Sequence, residues 1–398
     1  MDIHGWRLGK SNAISGLTDF STFVFVKKRI VISVSNDLAT DQRVRKQCAE
    51  LHEAGYEIWL LGRKLPNSMN VDRPYGIRRF NMLFKKGAFF YAFLNIRLFF
   101  KLLFAKADVF WANDLDTLPA NAFVAKLRNK KLIYDSHEFF TEVPEIQSRP
   151  FVKGVWRFFE KASIGKASMV ITVNQSIADL LKDTYSIDNV LVVRNVPEKG
   201  IAVEQKKKSE LGFDEELALL IMQGSGINVD RGGEELVDAM PMIKNASLVF
   251  VGGGDALPEL KNRVKSLGLT ERVRFVPKVP YEEMMEYTSA ADIGFTLDKD
   301  TNLNYRFSLP NKLFDYVMAE TPIIATNLPE VARLVNEKEL GLIIEHATPS
   351  EIASAVNELL ANPERLKVIR ANLRRAQSDL SWKSEFEEVL KRLSGLVR

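Results

Sequence analysis

The densest chemistry in the 398-residue chain lies in NLNYRFSLPNKLFDYVMAETPIIAT (302–326). Pro310 suits an early helical position, where a missing N–H costs nothing. The amides that follow, around Asn311 and Leu313, combine with Lys312 into a positive helix N-terminus fit for a diphosphate. Asp315 lies three residues after Lys312 and four after Asn311, so it shares their helix face and could accept from a ribose diol. A second anion site is suggested by MQGSGINVDRGGEELVDAM (222–240), which reads as strand, glycine turn and helix. Gly224 lets backbone amides come close to an anion, and Arg231 adds a fixed charge with planar donors. Taken singly, each stretch fits an ordinary amphipathic helix or surface turn equally well.

The other half of the chain offers polar residues just beyond apolar runs. SVSNDLATDQRVRK (33–46) supplies Asn36, Asp37 and Asp41, then Arg43, Arg45 and Lys46. Cations in a first helical turn oppose the helix dipole by about 0.3–1 kcal/mol each, a conflict that an anion, or Asp37 and Asp41, would relieve. WANDLDTLPAN (111–121) adds Asn113, Asp114 and Asp116; YDSHEFFTEVPE (134–145) adds Asp135, His137, Glu138 and Glu142. His137 could act as acid, base or hydrogen-bond donor. The glycine fingerprint of a nicotinamide site is missing from both halves. There is no glycine between Ile32 and Gly55, and Leu257 replaces the third glycine in VGGGDALPELK (251–261). One cysteine, Cys48, and four dispersed histidines exclude a disulfide and any recognisable metal spacing.

The elements that must hold these residues follow from periodicity. Short β-branched runs at 29–35, 57–61, 108–112, 131–135, 168–173 and 190–194 alternate with helical segments. After a polar break at 198–216 the pattern resumes with runs at 218–223, 247–251, 272–276, 292–297, 322–326 and 340–344. Continuous apolar strands alternating with helices predict parallel sheets covered on both faces. The expected plan is α/β. A polar extension (1–27) precedes a Rossmann-like domain (28–198) and a second such domain (199–380). A terminal helix (381–398) returns to the first domain. Two such domains leave one cleft, between the carboxyl ends of their sheets.

Charge is divided unevenly. Residues 1–200 carry 30 Lys+Arg against 20 Asp+Glu, whereas 201–398 carry 25 against 31. The cationic half contains KKGAFFYAFLNIRLFFKLLFAK (85–106), whose Asn95, Arg97 and Lys101 make a spanning helix costly. It reads either as a helix packed on the sheet or as a monotopic helix against anionic lipid. No secretory signal is evident, which points to a cytoplasmic setting; the monotopic reading of 85–106 would add peripheral attachment to the inner face of the membrane. No nucleic-acid motif accompanies the basic half.

Together these segments resemble the GT-B-fold glycosyltransferases, and within them retaining glycosyltransferase family 4, in a branch with a PNK-type motif. DQRVRKQCAELHEAGYEI (41–58), YDSHEFF (134–140), ITVNQSIADLL (171–181), VVRNVP (192–197), VGGGDALPELK, ADIGF (291–295) and SLPNKLFDYVMAETPIIAT (308–326) carry the resemblance in order. It implies two tandem Rossmann-like domains and metal-independent sugar transfer with retention. The donor would be a nucleotide diphosphate sugar, UDP- or GDP-linked, with no further cofactor; the acceptor would be a glycan or a lipid-linked molecule. Arg231, with Arg306, would grip the diphosphate, and Lys312 with the amides at Asn311 and Leu313 would hold phosphates and sugar. Asp315 would bind the ribose, the turn from Val276 to Lys278 would meet the nucleobase, and His137 would lie near the transferred sugar. Asn36, Asp37, Arg43, Asn113, Asp114 and Glu138 are expected on the acceptor side. The chain departs from the family where Phe307 replaces the first glutamate of E-x7-E and Glu320 replaces a glycine. An epimerase using the same donor site, or a non-catalytic binding subunit, remains open at this level.

Overall fold

The computed structural model describes residues 27–397, apart from Thr40, Asn67 and 199–205. The expected extension thus lies outside the described residues except for Lys27.

The first half contains β1 (Arg29–Asp37), α1 (Gln42–Glu53), β2 (Glu57–Lys64), β3 (Gly76–Asn81), α2 (Ala88–Phe104), β4 (Val109–Asn113) and α3 (Leu118–Leu127). It continues with β5 (Lys131–Ser136), α4 (Pro144–Gln147), α5 (Pro150–Ile164), β6 (Met169–Thr172), α6 (Gln175–Tyr185) and β7 (Val190–Val192). The second half contains β8 (Ala218–Gly224), α7 (Gly233–Ala239), β9 (Ala246–Gly252), α8 (Leu257–Ser266), β10 (Val273–Val276), α9 (Tyr281–Ala290) and β11 (Ile293–Thr296). After it come α10 (Leu303–Arg306), α11 (Asn311–Met318), β12 (Ile323–Thr326), α12 (Pro329–Glu337), β13 (Gly341–Ile344), α13 (Pro349–Leu360), α14 (Pro363–Asp379) and α15 (Trp382–Leu396).

Both sheets are parallel. Their orders are β3-β2-β1-β4-β5-β6-β7 and β10-β9-β8-β11-β12-β13. The central strands are buried along their whole length (VFWAN in β4, IGFT in β11), as a sheet covered by helices on both faces requires. Each order reverses direction once, between β1 and β4 and between β8 and β11. These two switch points are where such sheets open a crevice at their carboxyl ends.

The edge strand β3 has no counterpart among the apolar runs. Its sequence GIRRFN carries Arg78 and Arg79, and it is held by pairing with β2 rather than by burial of both faces.

Local signals set the element ends. Asp41 caps α1 by accepting from the Val44 amide (3.1 Å), and Asn174 caps α6 through Ile177 (2.9 Å). Pro310 is the residue before α11 rather than inside its first turn.

The last helix joins the two halves. α15 buries Trp382, Phe386, Val389 and Leu393, at about 1.5–3 kcal/mol for each side chain fully removed from water. Phe386 stacks on Trp382 (5.4 Å) and lies 6.3 Å from Trp111 of the first sheet. The Lys46 ammonium sits 4.4 Å above the Trp382 ring, and Glu385 accepts from the Arg194 backbone amide (3.0 Å).

Candidate active site

On the second domain, the turn after β8 brings Arg231 towards the end of β11. There it forms an ion pair with Asp298, a buried carboxylate, and its guanidinium lies 4.2 Å from the Tyr305 ring centroid. Lys312, in the first turn of α11, points into the same place and is buried. Burial lowers its pKa; Arg231 pushes the same way, and Asp298 opposes both. Three polar atoms of the cluster have no hydrogen-bond partner among the described residues: Arg231 Nε, Lys312 Nζ and Asp298 Oδ1. Buried groups are nearly always satisfied, so three orphans in one spot mark a place built for a polar ligand. Gly232 makes the geometry possible, with φ +75° and a close approach to Leu297: a Cβ there would lie 2.4 Å from Leu297 Cβ.

Asp315, one turn along α11, accepts from the Tyr281 hydroxyl (2.8 Å) and Gln223 Nε2 (3.1 Å). Burial raises its pKa to about 6, against the pull of Tyr281, Lys46 and Gln223. The Lys46 influence crosses from the first domain. That lysine is buried, donates to Asn195 Oδ1 (3.0 Å) and has its pKa lowered to about 7, by burial first and by Arg43 next.

Gly224 ends β8 with φ +139°, and its carbonyl would stand 1.9 Å from a Cβ at Gly252. Its freedom serves the crossing of the two glycine turns. Val276 is buried at the end of β10, and Lys278 is exposed beyond it on the same carboxyl edge, two strands from β8. Arg306 departs from expectation. It is half exposed, turns outward and faces Asp300 at 3.4 Å, while the preceding residue, Tyr305, takes the place against Arg231. One residue along a helix rotates the side chain by about 100°.

On the first domain, His137 follows β5. Its Nδ1 lies 3.1 Å from Asp114 Oδ2 and its Nε2 lies 3.7 Å from Asp135 Oδ2. Burial disfavours the imidazolium, but Asp114 and Asp135 outweigh it and raise the pKa to about 10. At neutral pH His137 is therefore a charged donor, not a base, and beyond the 3.7 Å approach to Asp135 its Nε2 has no hydrogen-bond partner among the described residues. Asp114 adopts φ +59° at the end of β4 and also accepts from the His137 amide (3.0 Å). Burial works to raise Asp135, yet Arg43 and His137 bring its pKa down to about 2. Asp116 is raised to about 7, by burial and then by Asp114.

Several acceptor-side expectations change here. Arg43 faces no open surface: it is buried on the sheet side of α1, donating to Asp135 (2.8 Å) and to the Val193 carbonyl (2.9 Å). Asp37 turns to the β2–β3 edge, where Arg79 (2.8 Å) and Ser68 (2.5 Å) hold it. Asn113 is buried and donates to the Ser33 carbonyl (3.3 Å), tying β4 to β1. Asn36 bonds Asp41 (3.2 Å) at the surface. Glu138 accepts from Asn304 of the second domain (3.2 Å).

That last bond is one of several across the seam. Asn174 donates to the Phe307 carbonyl (2.7 Å), Asn195 to Asn311 Oδ1 (3.0 Å), and Ser176 to Glu330. Phe307, where the resemblance expects a glutamate, is half-buried against the apolar cluster of the first domain. Glu320 sits at φ +55°, the left-handed position that glycine serves after a helix, and pairs with Arg374 (2.5 Å). Cavities of about 700 Å³ (Lys206, Arg274, Tyr287) and about 290 Å³ (Asn174, Arg194, Glu330) are lined by none of Arg231, Lys312 or His137. The candidate site is the packed seam itself.

The residues that sequence reading left out are Asp298, Tyr305, Tyr281 and Gln223. Asp298 follows the expected run DIGFTL directly and so carried the same strand-end signal as Asp114 and Asp135.

A family model described as Glycosyltransferase Family 4 matches residues 41–196, and one described as Glycosyl transferases group 1 matches residues 203–376. Each takes in one of the two sheets. The chain belongs to the GT-B glycosyltransferases. The chain is similar to the D-inositol 3-phosphate glycosyltransferase of Thermomonospora curvata, at 26% identity over 176 residues, 42% of this chain and 38% of that protein. The chain thus spans about two-fifths of that relative's length. Sucrose-phosphate synthase from Thermosynechococcus elongatus has the same fold (TM-score 0.75, 18% identity, 93% of this chain and 99% of that one). So does HepE of Anabaena, solved in complex with UDP-glucose (TM-score 0.70, 15% identity, 92% and 99%).

Proposed function

We propose that this glycosyltransferase moves a sugar from a nucleoside diphosphate donor, UDP- or GDP-linked, to a glycan or lipid-linked acceptor, with retention and without a metal ion. The observation that carries the reading is the pair of cations at the second sheet's switch point, half-buried Arg231 and buried Lys312, each with a nitrogen that has no partner among the described residues. In the reaction the bond from the anomeric carbon to the diphosphate oxygen breaks. The acceptor oxygen bonds to that carbon on the same face, and its proton passes to the departing phosphate. Arg231, Lys312 and the first amides of α11 stabilise the charge that builds on the diphosphate, the largest catalytic contribution. Asp315 accepts from the ribose, and the charged His137 donates through Nε2 to a hydroxyl at the transfer point. Glu138 with Asn304, and Asn174 with Phe307, hold the domains together so that water does not consume the donor.

The test is donor-induced thermal stabilisation with UDP-, GDP- and ADP-sugars, followed by release of nucleoside diphosphate in the presence of acceptor fractions. Donor binding raises apparent stability by mass action. One donor should stabilise the protein and be consumed only with acceptor, and Arg231→Ala should abolish consumption. Free sugar with an inverted ring carbon, formed without transfer, would make the protein an epimerase. Binding with no release in any fraction would make it a binding subunit. Either result sinks the proposal.

A further inference from the structure

We infer that the outward face of α2, α3 and α5 is a docking surface for an anionic lipid bilayer. The face is wider than the segment 85–106. α2 buries Phe90, Leu94, Leu98 and Leu102 against the sheet, as a packed helix should. Its opposite side is also apolar: Phe89 is 73% exposed and Phe104 80%, with Ile96 and Phe100 between them. α5 repeats the pattern. Trp156 and Ile164 point inward, while Phe151 (83%) and Phe158 (68%) point out. Between them α3 exposes Phe123 and Leu127. Ring contacts make the three helices continuous, Phe99 with Phe123 at 5.7 Å and Tyr91 with Trp156 at 5.0 Å. Single exposed apolar side chains are normal on a soluble protein; a contiguous sheet of aromatics on the side away from the core marks an interface.

Charge selects the occupant. The three helices carry Arg97, Lys101, Lys126, Lys153, Arg157 and Lys161, and their one carboxylate, Glu160, is buried beneath the hydroxyls of Tyr134 and Tyr185. Glu142, also buried, pairs with Lys153 (2.7 Å) and lies 3.7 Å from Arg157. Lys126 and Lys161 are exposed and enter no ion pair among the described residues. Aromatics ringed by cations, with no exposed acid on these three helices, match an interfacial membrane surface. A second copy of the chain would set cation against cation in a two-fold contact. Among the described residues no helix is long and apolar enough to cross a membrane, so the contact is a peripheral one. The face adjoins the acceptor side, because the loop carrying His137 and Glu138 runs through α4 directly into α5.

The full chain is sedimented with vesicles of phosphatidylcholine alone and of phosphatidylcholine with roughly one-third phosphatidylglycerol. It should pellet with the mixed vesicles and stay in solution with the neutral ones. Phe104→Ser/Phe151→Ser/Phe158→Ser and, separately, Lys126→Glu/Lys161→Glu should each weaken binding at least about tenfold. All five side chains are exposed, so the unfolding midpoint and donor-induced stabilisation should stay at wild-type values, which keeps the outcome separate from the catalytic proposal. No pelleting with mixed vesicles overturns the inference, as does equal binding to both compositions or variants that bind like wild type. A lipid-free dimer that the phenylalanine substitutions disperse would assign the face to self-association instead.

Discussion

Lys312→Met asks whether the proposed donor site stores instability for function. Lys312 Nζ is buried with no hydrogen-bond partner among the described residues, and Asp298 is already neutralised by Arg231. An unsatisfied buried donor costs about 1–3 kcal/mol, more when charged. The attraction of Asp298 returns part of that, while Arg231 repels. Methionine keeps the apolar stem and removes the charge, so the variant should gain about 1 kcal/mol net. In a domain of 150–250 residues that raises the unfolding midpoint by about 2–4 °C. The same substitution removes one cation from the departing diphosphate and should lower single-turnover transfer about 10²–10³-fold. Thermal unfolding with and without nucleoside diphosphate, alongside rapid-quench release of that product, reads both quantities. A variant that loses more than about 1 kcal/mol of stability while turning over normally would refute the reasoning. Lys312 would then be a structural partner of Asp298.

Asp315 has a folded pKa of about 6 against an ordinary 3.8, so its carboxylate is progressively lost as pH falls below about 6. Nucleoside diphosphate affinity, followed by calorimetry, should weaken towards tenfold per pH unit there, and Asp315→Asn should flatten that slope; an unaltered slope removes Asp315 from the site. His137 runs the other way, with its folded pKa raised from 6.5 to about 10. Its stabilisation is complete below pH 6.5 and disappears as pH rises through about 10, so the stability gap between wild type and His137→Gln should narrow over that window. A gap that widens would contradict the Asp114–His137–Asp135 arrangement. Gly232→Ala combines positive φ with a Cβ 2.4 Å from Leu297 Cβ and 2.5 Å from its carbonyl oxygen. It should cost about 2–4 kcal/mol in urea unfolding. Gly253→Ala, where a Cβ meets nothing within 4 Å, should be near neutral.

The alternation of apolar runs with amphipathic helices determined the architecture from sequence alone. A strand covered on both faces must be apolar along its whole length, and a helix that covers it must show a stripe. Strand-end placement likewise brought Arg231, Lys312, Asp315 and His137 into view, because the carboxyl edge of a parallel sheet is a property of order along the chain. The edge strand β3 escaped for the converse reason: Arg78 and Arg79 interrupt the pattern, and backbone pairing to β2 holds the strand instead. Pairing of charges was beyond the sequence. Arg43 and Arg45 are two residues apart on one helix, yet Arg43 is buried against Asp135 and Arg45 reaches Glu198 at the surface. Asp298 lies 67 residues from Arg231 and meets it only because β8 and β11 are neighbours in the sheet. The protonation of His137 has the same origin, since Asp114 and Asp135 end adjacent strands. Residue types and their order along the chain determined what could be present at the seam. Which cation is neutralised, which is left without a partner, and which helix face remains apolar towards solvent were decided only when the strands paired and the two domains closed.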